Sequence, residues 1–333
     1  MHTPLTTRKD SALAVRERAR NRSDERVHVS LAHLVRLQHK ATGYSFLPRQ
    51  PIHSLLSGRY ASRLRGRGLN FEELRQYQRG DDIRTMDWKV TARTRKPHVR
   101  VYTEERDRAV LLLVDQRTHM FFGSCERMKS VVAAEAAALG AWRSLGAGDR
   151  VGAIVFNDDA IEEIRPQRSK TTVMAILRTI ERMNRALRAD STVQSHSNQL
   201  NVVLQKAHRL AKHDTLVVLI TDGQGMNDDT TRLTAQLAQH NDVLGMLLYD
   251  SLRESPRPSK GQHVVTDGKL QMELNFDDRK FLERIAVDYQ KEMDGIRAAL
   301  RKISAPLLPI NTAEDVVGQI RKLIGTATRI HSR

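Results

Sequence analysis

The chain has 333 residues, 55 of them Lys or Arg and 39 Asp or Glu, for a formal net charge of +16, and its one cysteine is Cys125. That length holds one large domain with an appendage, or two domains, around a sizeable core. A single cysteine excludes an intrachain disulfide and cysteine-rich zinc sites, the N-terminus lacks the apolar core of a signal peptide, and no apolar run approaches the ~18 residues of a bilayer span, so the expectation is a cytoplasmic protein with no direct membrane insertion.

The charge is uneven. Residues 1–108 carry 24 basic and 12 acidic side chains, residues 109–333 carry 31 and 27. A basic front third suits an anionic partner (nucleic acid, an acidic protein face or lipid headgroups), or it is a solvated surface.

Residues 1–26 are polar and arginine-rich without apolar periodicity, and read as a flexible basic arm. From Val27, Leu31, Leu34, Val35 and Gln38 fall at helical spacing, with Ser30 as N-cap and Gly43 as stop. The segment 27–108 reads as a basic subdomain containing β structure. Within it Arg59, Arg63, Arg65 and Arg67 form a basic patch loosened by Gly66 and Gly68, fit for phosphate, an acidic protein face or plain solvation. Asp81, Asp82 and Asp87 then crowd near Arg79, Arg84 and Arg93. That spacing suits a turn whose carboxylates pair with arginines around Trp88 as apolar anchor; a metal-dependent hydrolase site is the alternative. The stretch HVRVYTE, from His98, alternates as a half-buried strand.

Five apolar residues, Val110 to Val114, then run into Asp115, the pattern of a buried parallel strand ending on a carboxylate. Met128 to Leu145 reads as a buried helix, VGAIVFND as a second strand, and AIEEIRP as an edge strand joined to it through Asp158-Asp159. Helices follow near Thr171 and over LNVVLQKAHRLAKH. TLVVLITDGQG is another apolar strand, ending on Asp222. A helix, the strand DVLGMLLYD, a hairpin turning at Asp267-Gly268, a long helix, the strand APLLPI and a closing helix between Thr312 and Gly325 complete residues 109–326; 327–333 is a tail. Alternating strands and helices predict a doubly wound, mostly parallel sheet with helices on both faces, whose ligands bind beyond the strands' carboxyl ends, where Asp115 and Asp222 stand. No phosphate-binding P-loop, nucleophile elbow or His-Glu-x-x-His motif occurs, so no enzyme is expected.

The stretch from Gly66 to Asp107 resembles the signature of domain-of-unknown-function family 58: a Gly-Asp-Asp-x-Arg-x-x-Asp-Trp core, then an Ala-Arg and a Glu-Arg pair. The matching residues are Gly80, Asp81, Asp82, Arg84, Asp87, Trp88, Ala92, Arg93, Glu105 and Arg106. The LLLVD and LVVLITDG strands resemble those of a von Willebrand factor A domain. The resemblance implies a von Willebrand factor A-like fold and a non-enzymatic interaction adaptor. Its implied partners are MoxR-type AAA+ ATPases or membrane-anchored von Willebrand A proteins, in chaperone-like assembly or stress functions. The alternatives are nucleic-acid binding through the basic third and hydrolysis through Asp81, Asp82 and Asp87.

It also implies a metal-ion-dependent adhesion site, built from an Asp-x-Ser-x-Ser loop, a Thr and a second Asp. Asp115 and Asp222 match the acids; Arg117 and His119 stand at the serine positions and Asn198 at the threonine. Mg²⁺ wants an octahedron of oxygens at about 2.0–2.1 Å. A guanidinium about 4 Å from such an ion repels it by several kcal/mol even at an effective dielectric near 20. The expectation is that Arg117 forks to Asp115, Asp222 or both in place of the ion, that no tight metal or other cofactor binds, and that Mg²⁺ binds weakly at most, through Asp115, Asp222 and Asn198. His119 reads as a packed or surface histidine beside Phe121 and Phe122.

Overall fold

The computed structural model describes residues 25–41, 69–104 except 79, 80 and 82, 108–254 except 190, 192–195 and 197, 262–266, 271–275, 277–302 and 305–330. Gly80, Asp82, Glu105, Arg106 and the basic patch Arg59, Arg63, Arg65 and Arg67 lie outside these residues. The chain divides into two compact units, 53–107 and the remainder.

Helix α1, Leu31–Arg36, starts where Ser30 accepts from the His33 amide, and a 3₁₀ turn, Leu37–Lys40, continues it. Val29, Leu34, Leu37 and Ala41 are buried in the same core as the central sheet of the larger unit. The Trp142 indole donates to Leu34 O at 3.0 Å, and the Val29 amide donates to Asn184 Oδ1 at 2.8 Å. The expected boundary at residue 27 is thereby corrected: the helix at 31–36 belongs to the α/β unit, because only that core buries its apolar face.

The smaller unit pairs β1, Leu69–Gln76, antiparallel with β2, His98–Glu104. Helix α2, Trp88–Thr94, lies between them in sequence and is capped by Asp87. Trp88 is 66 % exposed, so it is not the apolar anchor that the spacing suggests.

In the larger unit β3, Ala109–Asp115, is followed by α3, Lys129–Gly146, then β4, Arg150–Phe156, and β5, Ile161–Gln167. Next come α4, Lys170–Ala186, α5, Gln199–Leu210, β6, Thr215–Thr221, α6, Asp228–Ala238, and β7, Asp242–Tyr249. The hairpin strands β8, Gln262–Thr266, and β9, Gln271–Asn275, precede α7, Arg279–Lys302, β10, Leu307–Asn311, and α8, Val316–Ile330. The sheet order is β10-β7-β6-β3-β4-β5, parallel throughout except for the edge strand β5.

Strand β3 is central, and its alternate residues feed two cores. Val110, Leu112 and Val114 pack into the cluster that includes residues of α3 and α4. Leu111 and Leu113 pack with Leu200, Val203 and Leu204 of α5 and Leu233 and Leu237 of α6. A strand covered on both faces leaves no position for a polar residue until it ends, which is why the run is unbroken to Asp115. This is the expected doubly wound, mostly parallel sheet with helices on both faces.

The turn expected at Asp158-Asp159 joins β4 to β5, with the Asn157 amide donating to Ala160 O at 3.0 Å and Asn157 Oδ1 accepting from the Asp159 and Ala160 amides. The expected hairpin turn at Asp267-Gly268 lies outside the described residues; the flanking strands pair up to Thr266 with Gln271. The C-terminal helix differs from the sequence reading. Helix α8 begins after Asp315, whose carboxylate accepts from the Gly318 amide, and runs past Gly325 to Ile330. Thr312 instead donates its hydroxyl to Asp250 at 2.9 Å.

Candidate functional site

The adjacent parallel strands β3 and β6 deliver Asp115 and Asp222 to the same end of the sheet. Asp115 is wholly buried and Arg117 is 1 % exposed. The Arg117 Nε donates to Asp115 Oδ1 at 3.0 Å and Nη2 donates to Oδ2 at 2.6 Å. The Arg117 amide also donates to Oδ1, and the Thr221 hydroxyl donates to Oδ2 at 2.7 Å. The guanidinium lies 5.5 Å from the centre of the Phe156 ring, and Nη2 donates a further bond to Gln224 O. Burial disfavours the charged guanidinium, but the Asp115 charge and hydrogen bonds outweigh it, with help from Asp222 and Asp158, and raise its pKa.

Asp222 has a different cation. Lys129, the first residue of α3, donates from Nζ to Asp222 Oδ2 at 2.5 Å. His119 Nδ1 lies 3.1 Å from the same oxygen, and the Gln224 amide donates to Oδ1. Burial pushes the Asp222 carboxyl up, but the Lys129 charge and the His119 contacts prevail and hold it far below the ordinary carboxylate range. The backbone turns sharply here: Gly223 has φ +82°, and a Cβ on it would stand 2.6 Å from Ile296 Cδ1.

A third carboxylate, Asp158, comes from the β4–β5 turn. It accepts from the Thr118 amide and hydroxyl at 2.7 and 2.8 Å and from the His196 amide. Gln116 anchors the loop from below, donating to Ser130 O and accepting from Asn184 Nδ2. Asp250, following β7, accepts from Ser124 N, Ser124 Oγ, Thr312 Oγ1 and Leu252 N.

The structure brings together Asp115, Arg117, His119 and Asp222. Arg117 forks to Asp115 alone. Asn198 does not join them; it is exposed at the start of α5 and accepts from Asn201 Nδ2. His119 bonds Asp222 directly, a sharper placement than a packed or surface histidine. Lys129 was missed by the sequence reading. Its signal is a lysine at a helix N-terminus, where the helix dipole disfavours a cation unless an acid faces it.

Asp115, His119 and Asp222 each place a ligand atom within 4.8 Å of the others. The donor set nevertheless does not fit Mg²⁺. Nη2 of Arg117 and Nζ of Lys129 already occupy the carboxylates, and an imidazole replaces a hydroxyl. Three carboxylates here face two fixed cations, so the charge a divalent ion would balance is mostly met from the chain.

Two of the signature acids in the smaller unit, Asp81 and Asp87, are also neutralised. Arg75 forks to Asp81 with bonds of 2.9 and 2.8 Å, which lowers the Asp81 pKa together with a bond from the Gln78 amide. Asp87 accepts from the Val90 and Lys89 amides and from Arg100 Nε at 2.8 Å, which lowers its pKa likewise. Asp81 and Asp87 thus pair with Arg75 and Arg100; Arg79 and Asp82 lie outside the described residues. Among the described residues Asp81 and Asp87 form no metal-holding cluster.

Fold and site together define an α/β protein with a doubly wound, mostly parallel sheet and a cation-filled carboxylate cluster at its strand ends. The chain belongs to the family described as "Protein of unknown function DUF58", whose model matches residues 73–298. It is 30 % identical over 290 residues to "Uncharacterized protein Rv1480" of Mycobacterium tuberculosis and to "Uncharacterized protein Mb1516" of Mycobacterium bovis, covering 84 % of this chain and 86 % of each relative. Among solved structures, it is similar to the conserved hypothetical protein BatB of Bacteroides thetaiotaomicron (TM-score 0.41, 14 % identity, 67 % of this chain and 99 % of that one). It is also similar to a von Willebrand factor type A protein of Catenulispora acidiphila (TM-score 0.34, 12 % identity, 69 % and 43 %). Among the described residues no helix is long and apolar enough to cross a membrane.

Proposed function

We propose that the chain is a non-enzymatic protein-interaction adaptor whose strand-end rim is a degenerate adhesion site that docks a partner without a bridging metal. The observation that carries this reading is the buried Arg117 fork on Asp115, seconded by Lys129 on Asp222. In a metal-dependent adhesion site the ion both neutralises the acids and offers a vacant coordination position to the partner. Here the neutralising groups are covalently tethered, so partner contact falls to the surrounding rim, including the exposed side chains of Asp159 and Gln224. The partner implied by the family resemblance is a MoxR-type AAA+ ATPase, its substrate, or a membrane-anchored von Willebrand A protein. The nucleic-acid reading rests on charge alone, and the hydrolase reading loses Asp81 and Asp87 to Arg75 and Arg100.

The test is calorimetric titration of the full chain with a MoxR-type ATPase from the same cell, with Mg²⁺ or with a chelator. The expected result is binding indifferent to the chelator and weakened by Asp159→Arg and Gln224→Arg. Binding that requires Mg²⁺ and vanishes in Asp222→Ala contradicts the metal-free site. No binding in either buffer contradicts this partner.

A further inference from the structure

The connection between β1 and β2 holds a surface that the strand-end site does not use. Ile83 is 60 % exposed and Trp88 66 %. Between Ile83 and Pro97 the sequence has five basic residues and one acid, Asp87. That acid is turned inward, capping α2 and bonding Arg100. Lys89, Arg93, Arg95 and Lys96 are exposed and share no ion pair among the described residues. Arg95 itself ends the helix in the left-handed region, at φ 56°.

An exposed indole and isoleucine in one short turn with exposed cations that have no ion-pair partner among the described residues is the composition of a membrane-interfacial surface. Tryptophan favours the headgroup level, aliphatic side chains enter the acyl boundary, and lysine and arginine meet anionic headgroups. Asp87 fixes Trp88 as the first residue of α2, so the indole is presented rather than folded away. A single-strand nucleic-acid surface would want stacking rings; the second anchor here is aliphatic. We propose that the turn from Ile83 to Pro97 is a peripheral docking surface for an anionic lipid bilayer.

The chain carries its own reporter. Trp142, the second tryptophan, is 3 % exposed and bonded to Leu34 O, so an environment-dependent change in emission reports Trp88. The experiment mixes the full chain with vesicles of phosphatidylcholine alone or with added phosphatidylglycerol, read by sedimentation and by tryptophan emission. The expected result is binding and a blue shift with the anionic vesicles only. The triple variant Lys89→Gln, Arg93→Gln, Lys96→Gln should bind on the order of a hundredfold more weakly, at roughly fivefold per charge. Trp88→Phe should abolish the blue shift while retaining sedimentation, and Ile83→Asp should weaken both.

Anionic-vesicle binding undiminished in the triple variant places the attraction on other basic residues and overturns the proposal. So does an unshifted emission from bound protein. A single-stranded oligonucleotide or polyglutamate that shifts Trp88 emission while vesicles do not makes the surface one for an acidic macromolecule, and overturns it equally. Each variant changes an exposed side chain, and an unaltered far-ultraviolet circular dichroism spectrum and unfolding profile of the vesicle-free protein show that both units keep their fold.

Discussion

At the scale of single residues, the central fact is a guanidinium 1 % exposed, bonded to a carboxylate that is 0 % exposed. Removing one member of such a pair strands the other without solvent. Arg117→Met should therefore destabilise the chain by about 3–5 kcal/mol, measured by urea unfolding, and adding Asp115→Asn should recover part of that loss. A double variant no more stable than the single one would show that the pair is not coupled. Asp222 makes a second, pH-dependent prediction. Its carboxyl is held below its unfolded value of about 3.9, so below that pH the unfolded state binds more protons than the folded one. Its contribution is fully present above this range and is lost as pH falls. Asp222→Asn should lower stability at neutral pH and flatten the acid limb of stability against pH; an unchanged acid limb would refute the assignment. The sequence displayed Asp115, Arg117 and Asp222 directly, because a strand that ends on a charge is visible locally. It did not display the partners, because Lys129 comes from the following helix and Thr221 from the neighbouring strand β6, more than a hundred residues away.

At the scale of elements, apolar runs and periodicity located β3, α3, β4, β6 and β7, because burial on both faces leaves an unmistakable composition. Ends were less legible. The last helix outran Gly325, since glycine terminates a helix only where the chain has somewhere else to go. The edge strand β5 shows how packing at close range restricts a position the pattern treats as ordinary. A Cβ on Gly152 of β4 would stand 2.5 Å from Ile164 O and 2.6 Å from Pro166 N, both backbone atoms of β5. The register shifts between Val151 and Ala153, beside this contact. Gly152→Ala should cost about 1–3 kcal/mol by forcing the two strands apart, read as a lowered denaturant midpoint. A midpoint unmoved by the substitution would mean that β5 yields freely. Proline at 166 is tolerated there because an edge strand has a side without ladder partners.

At the scale of the whole molecule, the N-terminal helix α1 belongs to the core of a unit from which residues 53–107 separate it in sequence. A chain beginning at residue 42 would lose the burial of Val29, Leu34 and Leu37, worth about 1.5–3 kcal/mol for each side chain, and would uncover Trp142. Its thermal midpoint should fall and its Trp142 emission should shift to the red; an unshifted emission would show that the helix is dispensable. The sequence by itself determined the doubly wound class, the strand-end acids and the family, since each is written in a contiguous run whose composition reflects burial or whose motif is local. Only the tertiary structure decided which cation meets which acid, that Asn198 stands apart, that Trp88 faces water and that α1 joins the distant core. These depend on side chains brought together across the sheet and along helices, where distance in space has no counterpart in the spacing of residues.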